Sequence, residues 1–142
     1  GEDVPEAAVQ LATQSRGALA GAYNILYVAH MAAPKPIEFR GNSLDDLRAF
    51  PLPVRREAGH QLDQVQNGQE PDDWKPMSTV GQGVEEIRIR DATGAFRVLY
   101  VARFAEAVYV LHCFQKKTEK TSKTDLDVAA KRYRDVLKEL RQ

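Results

Sequence analysis

Between Glu86 and Arg90 apolar and charged residues alternate, with Ile87 and Ile89 on one side and Arg88 and Arg90 on the other. A period of two marks a strand with one buried face. Asp91-Ala92-Thr93-Gly94 reads as a tight turn, so Phe96–Val101 is expected to return antiparallel. After a second turn at Phe104–Ala107, Val108–Phe114 is the most apolar run and predicts a central strand. Upstream, Ile37–Arg40 alternates as a short strand, and Gly41-Asn42-Ser43 introduces a helix with Ser43 as its N-cap and Asp46 near the positive dipole end. Pro51 and Pro53 interrupt it. A second helix then buries Val54, Ala58, Leu62 and Val65 on one face and stops at Asn67-Gly68, completing a helical hairpin. Glu70–Gly83 reads as a loop. Beyond a basic loop at Lys116–Lys123, Thr124 is the expected N-cap of a closing helix, with Asp127 three positions on. Its Leu126, Ala129, Ala130, Tyr133, Leu137 and Leu140 share one face. The order β-α-α-β-β-β-α predicts an α+β domain with helices packed against an antiparallel sheet.

The first thirty residues differ. Arg16 is their single basic residue, Val9 and Leu11–Leu19 support a loose helix, and Tyr23–Val28 a short apolar turn or strand. Pro34 and Pro36 then disfavour helix. Residues 1–33 thus read as an appended segment with Met31 the natural start of the domain, or as an extension that docks on it. The domain itself spans 34–142. At 142 residues and 43% hydrophobic, the chain is long enough for one domain with a proper core. One cysteine excludes an internal disulfide framework. Ala18–Ala33 falls short of a membrane span, and Glu2, Asp3 and Glu6 stand where a secretion signal would be basic. A soluble, cytoplasmic domain is expected.

The formal net charge is zero, but the charges are segregated. Residues 88–123 carry eight basic residues against three acidic ones, and residues 63–86 six acidic against Lys75 alone. Arg88 and Arg90 point one way along their strand, Arg97 lies on the neighbouring strand, and Lys116 and Lys117 leave the next, with Lys120 and Lys123 in the loop. Such a face calls for an anion, and arginine forks match the oxygens of phosphate. The competing reading is a solvated polar face neutralised by Glu85, Glu86 and Asp91. His30, His60, His112 and Cys113 have no metal-ligand spacing, so no metal site is expected. Gly81-Gln82-Gly83 lacks the lysine and helix of a phosphate loop, and no cofactor is implied. His112 and Cys113 read as core residues, His60 as exposed, and Trp74 as a plug at a core edge.

Trp74-Lys75-Pro76-Met77, Gly83–Arg88, Phe96-Arg97-Val98-Leu99-Tyr100, Leu111–Thr118 and Ala129–Tyr133 together resemble the HigB-like, phage-derived branch of the RelE toxin superfamily. The resemblance covers about residues 35–142. It implies a type II toxin that cleaves mRNA in the ribosomal decoding site and is held inactive by a cognate antitoxin, expected to be a helix-turn-helix, HigA-like protein. It also implies the same β-α-α-β-β-β-α order. Arg88, Arg97, Lys116 and Lys117 match catalytic positions, and Lys75, Arg90, Lys120 and Lys123 join them as RNA-binding candidates. No tyrosine stands near Lys123, where RelE has its catalytic one; Tyr133 lies farther along.

Metal-independent RNA cleavage needs a base for the 2′-hydroxyl, cations for the pentavalent phosphate and an acid for the leaving oxygen. Arginine suits the cationic role, and a lysine crowded by other cations suits proton transfer. Lys116, Lys117 and Lys120 are the candidates for it. The alternative is a non-catalytic RNA- or protein-binding module on the same fold, motivated by the missing tyrosine.

Overall fold

The computed structural model describes residues 33–141. The helix expected at Val9–Leu19 and the turn or strand at Tyr23–Val28 lie outside the described residues. The unit Lys35–Gln142 is compact. Its elements are β1 (Ile37–Phe39), α1 (Ser43–Arg48), α2 (Leu52–Gln66), β2 (Trp74–Pro76), β3 (Val84–Asp91), β4 (Gly94–Val101), β5 (Val108–Lys116) and α3 (Lys123–Leu140). The strands form one sheet in the order β1-β5-β4-β3-β2.

The α+β class holds, with two corrections to the sheet. It is mixed, because β1 runs parallel to β5 (Ile37 beside Val108, Phe39 beside Val110) while the other pairs are antiparallel. It also gains a strand, β2, inside the expected loop, where Trp74 pairs with Ile87 and Pro76 with Glu85. Three residues are too few for a period of two to register. The middle position belongs to β4, with β5 an interior neighbour.

Each sheet face has its own core. On one, Val54, Ala58, Leu62 and Val65 of α2 bury against Ile87, Ile89, Val98 and Val110. On the other, Ala129, Tyr133 and Val136 of α3 cover Leu99, Val101 and Leu111. The two helices of the expected hairpin are both present, but α1 packs chiefly on β5 and α2 on β3. Pro51 caps α2 and Pro53 falls in its first turn, where a missing N–H costs nothing. Gly68, at φ +80°, supplies the left-handed residue that ends it.

Two caps differ from expectation. Asn42 takes the N-cap position of α1, while Ser43 is its first residue and its buried hydroxyl donates to the Val110 carbonyl at 3.3 Å. For α3 the cap is Ser122, whose Oγ accepts from the Asp125 N–H at 3.1 Å.

A bulge interrupts the β4–β5 ladder: Leu99 lies opposite His112 and Tyr100 opposite Val110, leaving Leu111 without a partner residue on β4. The guanidinium of Arg132 on α3 donates to the Leu111 carbonyl at 2.9 Å. Before the bulge, Val108 and Val110 face α2; after it, Phe114 faces α3.

Candidate functional site: a cationic sheet face

Side chains paired across neighbouring strands share a sheet face. Arg88 lies opposite Arg97, and Arg90 and Lys116 both lie opposite Ala95. Lys75 pairs with Glu86 and Arg97 with Phe114. With the alternation along each strand, Lys75, Glu86, Arg88, Arg90, Arg97, Phe114 and Lys116 therefore share the α3 side of the sheet. The bulge is what places Lys116 there, because uninterrupted alternation from Val108 would have turned it to the α2 side.

Like charges placed directly opposite in an antiparallel pair repel. Here the Arg88–Arg97 pair is retained and balanced from within the sheet. Arg97 is 3% exposed and Glu86 only 1%. The Glu86 Oε1 lies 3.4 Å from the Arg97 Nε, an ion pair whose angle does not make a hydrogen bond. The Arg97 Nη1 donates to the Phe96 carbonyl at 3.0 Å. The Nε of Arg88 and of Arg97 and the Oε2 of Glu86 are buried and lack hydrogen-bond partners. Asp73, Arg88, Ile89, Arg90 and Arg97 line a cavity of about 40 Å³, and the Arg88 N–H donates to the Asp73 carbonyl at 2.9 Å.

The electrostatics follow. Burial pushes the Arg97 guanidinium below its ordinary pKa; Glu86 opposes that, while Arg88 and Arg90 reinforce it. The Lys116 ammonium is lowered as well, first by desolvation and then by Arg97, with Lys75 and Arg88 adding and Glu86 opposing. Arg88, Arg90 and Arg97 thus converge on that cavity, and Lys116 stands on the same sheet face.

The remaining candidates are placed differently. Lys117 follows the last residue of β5 and is exposed. Lys120 is exposed in the loop, where its carbonyl accepts from the Thr118 hydroxyl. Lys123 opens α3 and pairs with Asp127 at 3.5 Å. These three extend the basic character past the strand end without joining the converging group.

Glu85, Glu86 and Asp91, the expected neutralisers of a solvated face, are separated by the structure. Glu85 faces α2 and accepts from the Tyr100 hydroxyl at 2.6 Å, and Asp91 is held in its turn by Thr93. Glu86 alone is buried beside the arginines. His112 is buried as expected, and its Nε2 lies 2.7 Å from Asp125 at the start of α3. Cys113 is buried and His60 exposed, again as expected. Tyr133 sits in the α3 core, where its hydroxyl donates to the Gln82 carbonyl at 2.6 Å. Among the described residues no group of His, Cys, Asp and Glu is arranged to hold a metal ion, and no helix is long and apolar enough to cross a membrane.

Fold and site together define a small α+β domain that carries a cross-strand arginine pair on one sheet face, Arg97 buried and Arg88 half-buried. The chain belongs to the family of phage-derived Gp49-like proteins (DUF891), whose model matches residues 45–134. That span runs from α1 into α3 and contains every candidate residue named above. The chain matches none of the curated proteins or solved structures with which it was compared.

Proposed function

We propose that this protein is a metal-independent endoribonuclease, the toxin of a type II toxin–antitoxin pair, acting in the cytoplasm on ribosome-bound mRNA. The observation that carries this reading is the cross-strand Arg88–Arg97 pair, with Lys116 on the same sheet face and buried guanidinium donors left under-bonded. The similarity of residues 35–142 to the HigB-like branch of the RelE superfamily supports it. A helix-turn-helix, HigA-like antitoxin is the corresponding partner.

In this reading Arg88 and Arg97 grip the non-bridging oxygens of the scissile phosphate, where charge grows in the transition state. The neutral amine of Lys116 accepts the 2′-hydroxyl proton, the form that desolvation and then the neighbouring Arg97 favour. O2′ then bonds to phosphorus as the P–O5′ bond breaks, and solvent water supplies the proton that O5′ requires, with Lys117 at the exposed strand end adding only positive charge. The products are a 2′,3′-cyclic phosphate and a 5′-hydroxyl. Lys75, Arg90, Lys120 and Lys123 hold the flanking backbone.

Inducible expression followed by mapping of transcript ends tests this. New 5′-hydroxyl ends should appear with the wild type. Lys116→Met should lower their yield about 100-fold or more, the usual scale for a lost proton-transfer group. Arg88→Ala should lower it without unfolding the chain, since Arg88 is only half-buried. Unchanged transcript ends, with RNA bound in a salt-sensitive way but left whole, would replace this reading with the non-catalytic binding module.

A further inference from the structure

β1 pairs with β5 only over Val108–Val110, so from His112 onward the outer edge of β5 has no neighbouring strand among the described residues. The end of α1 and the turn into α2 stand beside that edge and leave a cavity of about 410 Å³. Phe50, Phe96, His112 and Phe114 line it. Phe50 meets Phe96 edge-on at 5.0 Å, and His112 stacks on Phe114 at 4.9 Å. His112 lies opposite Leu99, which places it with Phe114 and Lys116 on the α3 side of the sheet. Phe114 and Lys116 are two residues apart, about 7 Å along a strand. The cavity therefore opens beside the cationic face without containing any of its arginines.

Its polar side chains offer acceptors. Asp46 on α1 brings a half-buried carboxylate. Gln115 spends its amide nitrogen on the Thr93 carbonyl at 3.0 Å, which leaves its oxygen free to accept. The His112 Nε2 lies 2.7 Å from the Asp125 carboxylate, which can only accept, so the hydrogen belongs on Nε2. The Nδ1 of the neutral ring is then an acceptor, and it is buried without a partner in a side chain only 8% exposed. Such a lining repels a phosphate. It suits a flat ring that stacks on aromatic side chains and donates from N–H groups. We propose that this cavity is a nucleobase pocket, taking a base with an exocyclic amine, a purine before a pyrimidine, from the RNA strand whose phosphate lies at the arginines. The ribonuclease reading supplies the source of the base, while the pocket's own chemistry stands apart from it. Uracil is disfavoured because its N3–H is flanked by two carbonyls, which would face acceptors.

Backbone amide NMR with two probes tests the pocket without cleavage. Adenosine, a base without phosphate, should shift the amides of Asp46, Ala49, Phe114 and Gln115 in a saturable way, and uridine should bind more weakly. Ribose 5-phosphate, a phosphate without base, should shift Arg88 and Arg97 instead. Ala49 is exposed at the end of α1 and lines the cavity, so Ala49→Phe fills it from outside the core. That variant should weaken adenosine about tenfold or more, the scale of one stacked base, and leave ribose 5-phosphate unchanged. Asp46→Asn adds a donor for the uracil carbonyls and should narrow the preference for adenosine over uridine; the same spectra report folding of both variants. Adenosine that leaves the four amides unmoved, or that binds folded Ala49→Phe as tightly as the wild type, overturns the proposal. Shifts there that follow protein concentration and not adenosine also overturn it, giving the groove to a second copy of the chain. Adenosine bound as expected, in a protein whose expression produces no new transcript ends, upholds the pocket and overturns the ribonuclease reading.

Discussion

Arg97 and Glu86 each bury a full charge, and each is tolerable only because of the other. Removing one member of such a pair leaves an uncompensated ion in a medium that solvates it poorly, whereas removing both can be close to neutral. Arg97→Met should therefore destabilise the domain by about 3 kcal/mol or more, and the double variant Glu86→Leu/Arg97→Met should recover most of that loss. Urea unfolding of the three proteins checks it, and additive losses would show that the two charges do not depend on each other. Arg97 is for this reason a poor single probe of catalysis, and Arg88 and Lys116 are the better ones. The strand over Glu86–Arg90 was legible from alternation, and so was the side shared by Arg88 and Arg90. The burial of Glu86 was not. Its period of two is the same as that of the arginines, and nothing local distinguishes the end of a strand face that lies deep in the sheet from the end that opens to solvent.

The elements show the same divide between local and distant causes. Ser122 and Thr124 each precede an aspartate by three residues, so the chain offers two equivalent starts to α3. The choice is made outside the helix: His112 on β5 holds Asp125, and Asp125 accepts from the Ser122 hydroxyl at 2.7 Å. Ser122→Ala should cost about 1 kcal/mol, the scale of a lost N-cap, while Thr124→Ala should change stability by only a few tenths. Thermal or urea melts of the two variants decide it, and the reverse order would return the cap to Thr124. The β5 bulge was hidden for a related reason. Val108–Phe114 is apolar on both sides, so its pattern carries no mark where the alternation slips. The slip is held by Arg132, an α3 side chain about twenty residues downstream in sequence, which donates to the Leu111 carbonyl. Lys116 reaches the arginine face only because of it. β1 escaped detection as a parallel strand because its partner, β5, lies far away along the chain.

Across the whole molecule, a net charge of zero says little about what the surface attracts. Five cations share the α3 side of the sheet, while Arg56 is exposed on α2, which packs on the other side. If RNA lies along the cationic face, each phosphate neutralised there releases counterions, and binding weakens with salt in proportion. For single strands the slope of log K against log salt is about −0.7 per phosphate contact. Lys75 and Arg90 are exposed, so replacing both with alanine should spare the core and make the slope shallower by about 1.4. Arg56→Ala removes a positive charge from a distant surface and should leave the slope unchanged. Fluorescence anisotropy with a 2′-O-methyl oligonucleotide, which lacks the attacking hydroxyl, measures binding free of cleavage. A slope altered equally, per charge removed, by the α2 variant and by the sheet variants would mean that the oligonucleotide feels the molecule's overall charge and has no seat on this face. The arginine pair would then be a feature of the fold's interior and not of its function.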